Sequence, residues 1–204
     1  MARHVKIVNR KRGWCALEIP RCGCTGLKVR AWRDNIEEPI PENVHAAMGY
    51  GHETSHGLVV EWDYPTDGLF HFAVWRPPVA RSYSTWLGLV RVNPCHAAFW
   101  SVQYSNWDEW VSFVRALLAL NGPASDPHIR RQRDFYHDND VDAIIPIWHL
   151  DEFLSDKFDE CIMGKCNSSR AVESPCHLSP FATEEIARLY ACDSAIQLSK
   201  KFAY

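Results

Sequence analysis

No stretch of this sequence approaches the ~18 consecutive apolar residues of a membrane helix. The chain turns basic at Arg3 and has no apolar signal core. These absences read as a cytosolic chain with no membrane partner. A coat of positive charge is missing too. The formal net charge is -3, which argues against a general nucleic-acid surface. There is no internal repeat, no low-complexity tract and no C-x-x-C pair. The eight cysteines are Cys15, Cys22, Cys24, Cys95, Cys161, Cys166, Cys176 and Cys192, and the Cys22/Cys24 spacing is not that of a zinc knuckle. Without a signal peptide, free thiols are the better reading than a disulfide framework. His4, His52 and His56 are the histidines within reach of a metal role, but no ligand spacing recommends one, and no metal is expected.

What is present is ordinary for a globular protein: 47% hydrophobic and 23% charged residues over 204 positions. That length suits a single domain over residues 1–204, able to bury roughly 70% of its unfolded surface. Basic residues gather early, at Arg3, Lys6, Arg10, Lys11 and Arg12, then at Arg21, Lys28, Arg30 and Arg33. Before Arg21 the run reads equally as a solvated face or as part of an anion site.

Trp14 to Ile19 is a largely apolar run ending at Pro20 and reads as a buried strand. A small-residue turn follows, then a helix from Leu27 to Asp34, and residues 35–56 read as a loop or lid. Leu58 to Trp62 and Phe70 to Trp75 read as strands, and Pro78 opens a helix reaching about Val90. Trp107, Trp110, Val111, Val114, Leu117 and Leu118 fall at helical spacing and predict a helix over 106–120, stopped by Asn121-Gly122-Pro123. Residues 122–139 read as a polar loop, Val141 to Trp148 as a strand, Leu150 to Phe158 as a helix and 159–181 as a long loop. Thr183 is the expected cap of a last helix. The order predicts an α/β fold with a central parallel sheet flanked by helices.

The most informative segment runs from Ile19 through Pro20, Arg21, Cys22, Gly23, Cys24, Thr25, Gly26 and Leu27 to Lys28. A strand, a tight turn and a helix aim backbone N–H groups and a positive helix end at one spot. Gly23 permits close approach, Thr25 adds a hydroxyl, and Arg21 and Lys28 add charge. The Walker pattern G-x-x-x-x-G-K-S/T is absent. A second segment, His71 to Ser84, repeats the arrangement. A strand delivers Arg76, a helix begins at once, and Ser84 stands eight residues on. Arginine offers a planar fork to a phosphate and serine a second donor.

The first segment resembles the 5′-phosphosulfate loop of sulfotransferases that use 3′-phosphoadenosine-5′-phosphosulfate (PAPS), P-K-x-G-T/C-T-x-x-K, at Pro20, Gly23, Cys24, Thr25 and Lys28. Arg21 replaces the family lysine. It supplies charge but does not release a proton at neutral pH. The second segment resembles that family's 3′-phosphate motif, R-D/N-P-x-x-R-x-x-S, at Arg76, Pro78, Arg81 and Ser84, with Pro77 in place of the acidic or amide residue. Weaker echoes of the membrane-type carbohydrate sulfotransferases run from His128 to Gln132, Trp148 to Phe153, Asn167 to Ser169 and Ile186 to Asp193, without their membrane anchor.

The resemblance implies a P-loop-like sulfotransferase fold, PAPS as donor, the bisphosphate PAP as product and a hydroxyl acceptor of the sugar class. It places the nucleotide on Arg21, Cys22, Gly23, Cys24, Thr25, Gly26, Lys28, Arg76 and Ser84, with Arg170 covering its 3′ side. Arg21 and Lys28 also serve the chemistry. A general base is expected between the motifs, where His45, His52, Glu53, His56, Glu61, Asp63 and His71 lie. His56 is the first choice, then His52 and Glu53, with His128 a further candidate. Trp75, Trp86, Trp107 and Trp110 read as core, whereas Trp14, Trp32 and Trp148 are the rings available to stack on a ligand. Two alternatives stand beside the transferase: a P-loop kinase or NTPase, and a nucleotide-binding module without turnover. A compact form of this kind suits a bacterium or its virus.

Overall fold

Val5–Asn9 (β1) and Trp14–Leu17 (β2) form an antiparallel hairpin whose turn is the basic run Arg10 to Arg12. In this computed structural model, residues 5–48, 56–61, 63–88, 106–121, 126–135, 141–160 and 178–196 are described. The turn closes with Gly13 N–H donating to Asn9 C=O at 2.9 Å. Asn9 is fully buried and organises the turn from beneath. Its Oδ1 accepts Arg12 N–H, and its Nδ2 donates to Asp34 Oδ2 at 2.9 Å. The early basic run thus divides: Arg10 and Lys11 are exposed, whereas Lys6 is buried and donates to Tyr64 C=O and Thr66 Oγ1.

The chain divides into two compact units. The first comprises residues 1–75, 135–167 and 197–204. It adds Cys24–Asn35 (α1), Val44–Met48 (α2), Val59–Glu61 (β3), Phe70–Trp75 (β4), Ala143–Pro146 (β5) and Leu150–Phe158 (α5) to the hairpin. Its five strands make one sheet in the order β3-β1-β2-β4-β5. The β2/β4 and β4/β5 pairs are parallel, but β1 pairs antiparallel with both β2 and β3. The sheet is therefore mixed, and the wholly parallel expectation is corrected. The reason is local. A tight glycine turn returns the chain antiparallel, and the run before Trp14, which reads equally as a solvated face or part of an anion site, supplies the extra strand.

Registered partners share a face, so Trp14, Ala16, Phe70 and Phe72 stand on one side. Helix α5 packs there through Phe153, whose ring lies 5.2 Å from Phe72 and 6.1 Å from Phe70. Trp14 is wholly buried, edge-on to Phe72 at 5.7 Å, and its indole N–H donates to Glu160. It is a core ring, not a stacking platform. Glu160 also sits 3.2 Å from Arg30 Nε, and Arg30 bonds Asp151 on α5, so one guanidinium ties α1 to α5.

The second unit, residues 76–134 and 168–196, is helical in its described part. It contains Pro78–Trp86 (α3), Trp107–Asn121 (α4), Pro180–Leu189 (α6) and Ala191–Ser194 (α7). Trp86, Trp107, Trp110, Val114, Ile129 and Ile186 pack into its core. Ser179, not Thr183, caps α6: its Oγ accepts Ala182 N–H, and Pro180 takes the first turn where no N–H is needed. The 126–134 segment is more ordered than a polar loop. Arg81 donates to the carbonyls of Arg130 (2.7 Å) and Pro127 (2.9 Å), and Tyr190 bonds the carbonyl of Ile129.

Burial raises the Glu160 carboxyl above the usual carboxylate range, against the pull of the Trp14 bond and the Arg30 charge. With the folded value above the unfolded one, its contribution favours folding in acid and is lost as pH rises through the folded value. Arg30→Ala leaves this buried carboxylate without its cation and is expected to destabilise by roughly 3–5 kcal/mol in urea unfolding at neutral pH. Adding Glu160→Gln should recover a substantial part of the loss. Additive losses in the double variant would show that the two side chains act apart.

Candidate functional site

The last β2 contacts continue into Glu18, whose N–H donates to Val5 C=O at 3.0 Å. The chain then reverses within Pro20 to Gly23. Cys22 N–H donates to Ile19 C=O at 3.1 Å, and Arg21 and Gly23 take left-handed φ values of 67° and 84°. Gly23 caps α1, which begins three residues before the helix expected at Leu27. A side chain at Gly23 would be strained by its φ and crowded as well, because a Cβ there would lie 3.2 Å from Leu150 Cδ2. The N–H groups of Cys24, Thr25 and Gly26 have no carbonyl partner inside the helix. A Cβ on Gly26 would meet nothing within 4 Å, so the first turn is open on that side.

Beneath the turn lies a polar cluster that sequence reasoning did not assemble. Lys28 Nζ is completely buried and stands 2.9 Å from Glu18 Oε1. It also contacts Nδ1 of His45 at 3.3 Å, and His45 Nε2 lies 2.7 Å from Thr25 Oγ1. Lys28 was expected to face the ligand. Instead its ammonium is held inside, because a four-carbon stem on the inner face of α1 reaches the strand carboxylate. Arg21 is left as the cationic side chain at the turn itself, and burial lowers its pKa from the ordinary guanidinium value. Cys24 is pushed the other way, first by burial and then by the Glu18 carboxylate, so its thiol resists ionisation.

Glu18, Cys24 and His45 have ligating atoms within 4.8 Å of one another, the group of metal-ligand type found among the described residues. Two of the three already contact the Lys28 ammonium, which is the cation this cluster holds. Cys15, Cys22, Cys24 and Cys192 are free thiols, and burial raises Cys15 to about 11. The remaining cysteines lie outside the described residues.

The second motif is built differently. Arg76 follows β4, and its backbone is clasped by one carboxamide. Arg76 N–H donates to Gln132 Oε1 at 2.9 Å, and Gln132 Nε2 donates to Arg76 C=O at 2.8 Å. Gln132 is held in turn by its own N–H donating to Asp193 Oδ2 at 2.8 Å. Ser84 is buried on α3. Arg81 also matched the motif, and its guanidinium donates to the backbone carbonyls of Arg130 and Pro127.

His56 is exposed, at φ 52°, with its ring edge-on to Trp32 at 5.3 Å. Trp32 lies seven residues after Thr25, roughly 10 Å along α1. Trp32 is itself buried and donates to Glu38 C=O, while Trp148 is exposed and packs edge-on to Trp75. His128 is tied to Asp126 through its ring (2.9 Å) and its backbone N–H (2.8 Å). Burial alone would raise Asp126, but these bonds and the His128 charge outweigh it and lower its pKa. His52, Glu53 and Arg170 lie outside the described residues. A groove of about 620 Å³, lined by Lys11, Arg33 and Glu37 among others, sits at the far end of α1 from the turn.

Sequence reasoning noted His45 among the histidines between the motifs without choosing it. A signal existed: Asn43 caps the short helix that carries it, its Oδ1 accepting Ala46 N–H at 3.1 Å. Comparison with known proteins finds no matching family model, no matching curated protein and no matching solved structure.

Gly23→Ala forces a β-carbon into the left-handed region and against Leu150. It is expected to lower stability by about 1–2 kcal/mol, seen as a reduced thermal midpoint. An unchanged midpoint would mean that the turn does not need this conformation.

Proposed function

We propose that this chain is a sulfotransferase that takes the sulfuryl group of PAPS to an acceptor hydroxyl, with the sugar class as the first acceptors to screen. The observation that carries the reading is the turn from Pro20 to Lys28. Its sequence resembles a phosphosulfate loop, and α1 begins there with the amides of Cys24, Thr25 and Gly26 and the Thr25 hydroxyl, with Arg21 three residues before the helix. Those groups favour an anion through hydrogen bonds and the helix dipole. By its sequence, the second motif offers the fork of Arg76 and the hydroxyl of Ser84 to a phosphate, and a second phosphate is what separates PAPS from ATP.

In the reaction the acceptor oxygen attacks sulfur, the bond from sulfur to the bridging oxygen breaks, and the bisphosphate PAP leaves with that oxygen's charge. Arg21 and the first-turn amides stabilise the charge as it develops. The acceptor proton passes to a base. His45 is not that base, since both its ring nitrogens are engaged by Lys28 and Thr25. His56 and His128 are the candidates among the described residues, and His52 and Glu53 lie outside them. No metal enters this scheme.

A binding module without turnover is the second reading, favoured by Arg21 in the place of the family lysine. Calorimetry with PAP, beside ATP and magnesium, tests the donor site. Wild type is expected to bind PAP and to bind ATP more weakly, and Arg76→Ala should weaken PAP binding roughly 10- to 100-fold, the worth of one hydrogen-bonded charge. Equal binding by Arg76→Ala, or none by wild type, would sink the reading. Tight PAP binding without acceptor-dependent turnover would favour the binding module.

A further inference from the structure

We infer that the buried chain Glu18–Lys28–His45–Thr25 fixes the Thr25 hydroxyl as a donor at the turn, making His45 a positioning residue that selects ligands whose facing oxygens only accept. This rests on the phosphosulfate reading and says what that reading requires of the ligand atom nearest Thr25.

An ammonium carries three donors and no acceptor. At the 3.3 Å contact with Lys28 Nζ, Nδ1 of His45 is therefore the acceptor and bears no hydrogen. A neutral imidazole then carries its hydrogen on Nε2. That nitrogen lies 2.7 Å from Thr25 Oγ1, so it donates to the hydroxyl oxygen. The hydroxyl hydrogen must turn away from His45. Among the described residues Thr25 has no other side-chain partner, and it occupies the second position of α1 beside the unbonded amides of Cys24 and Gly26.

The first turn thus presents donors. A ligand hydroxyl donating to Thr25 would leave the threonine's own hydrogen without an acceptor. Sulfate esters and fully ionised phosphates offer lone pairs alone and meet no such conflict. Because Glu18 and Lys28 offset each other's charge, the chain supplies direction rather than net attraction. The ammonium also needs its place: its contact with Nδ1 of His45 favours this tautomer.

Nitrogen NMR of protein carrying labelled histidine reads the tautomer without any ligand. Wild type is expected to show the His45 hydrogen on Nε2, and Lys28→Met to lose that preference. A hydrogen on Nδ1, or on both nitrogens, overturns the inference. Should Lys28→Met fail to fold, calorimetry with PAP decides. Thr25→Val and His45→Ala should each weaken binding roughly 10- to 100-fold. Thr25→Ser and His45→Gln, which keep the hydroxyl and the donor, should retain most of it. The Thr25→Val/His45→Ala double variant should bind no more weakly than Thr25→Val alone, because both remove one linked bond. Additive losses overturn the inference. A wild type with the expected tautomer that binds no PAP overturns the functional reading instead, and the ligand selectivity falls with it while the tautomer stands.

Discussion

A buried ammonium must have a carboxylate beside it, and for Lys28 that carboxylate is Glu18. Bringing either ion out of water alone would cost several kcal/mol, so each is tolerable only because of the other. Their meeting sets the distance between the end of β2 and the first turns of α1, and the chain between them has no slack. It must reverse within a few residues, which is why Arg21 and Gly23 adopt left-handed backbone and why α1 starts earlier than its apolar pattern predicts.

The two motifs achieve their geometry by different means. At the first turn, strain and a buried ion pair do the positioning. At Arg76 a neutral carboxamide does it, replacing the neighbouring strand that would otherwise pair with this backbone. Gln132 can do so because Asp193 holds its own N–H, and Asp193 in turn sits where α6 gives way to α7. In the second unit, Arg81, Thr85 and Tyr190 all donate to carbonyls of the 126–134 segment.

Much of this was legible from residue patterns. Phe70–Trp75 and Leu150–Phe158 lie where alternation and helical spacing put them, and Trp107–Asn121 is shifted by one residue. Such elements are dictated by local periodicity. The hairpin strand Val5–Asn9 was hidden because Lys6 is an inward-facing lysine, bonded to Tyr64 and Thr66 some 60 residues away in a pairing no window can see. The Lys28 ion pair is hidden from the sequence for a related reason. A lysine in a phosphate-loop pattern is expected to meet the ligand, and only the fold reveals that Glu18 reaches it first. His45 needed α2 to be recognised as a helix at all. The α/β class and the strand-turn-helix at Pro20 to Lys28 were readable, whereas the partners of each charge were not.

Gly26 carries a consequence of its own. No described atom lies within 4 Å of the space a β-carbon would enter there, so the fold has no steric reason to keep this position bare. Folding and occupancy of the turn are separable at this one residue. A β-carbon at this position would add bulk beside the first-turn amides without meeting a described atom. The width left at the helix start is therefore set at this position by the side chain itself and not by its described neighbours.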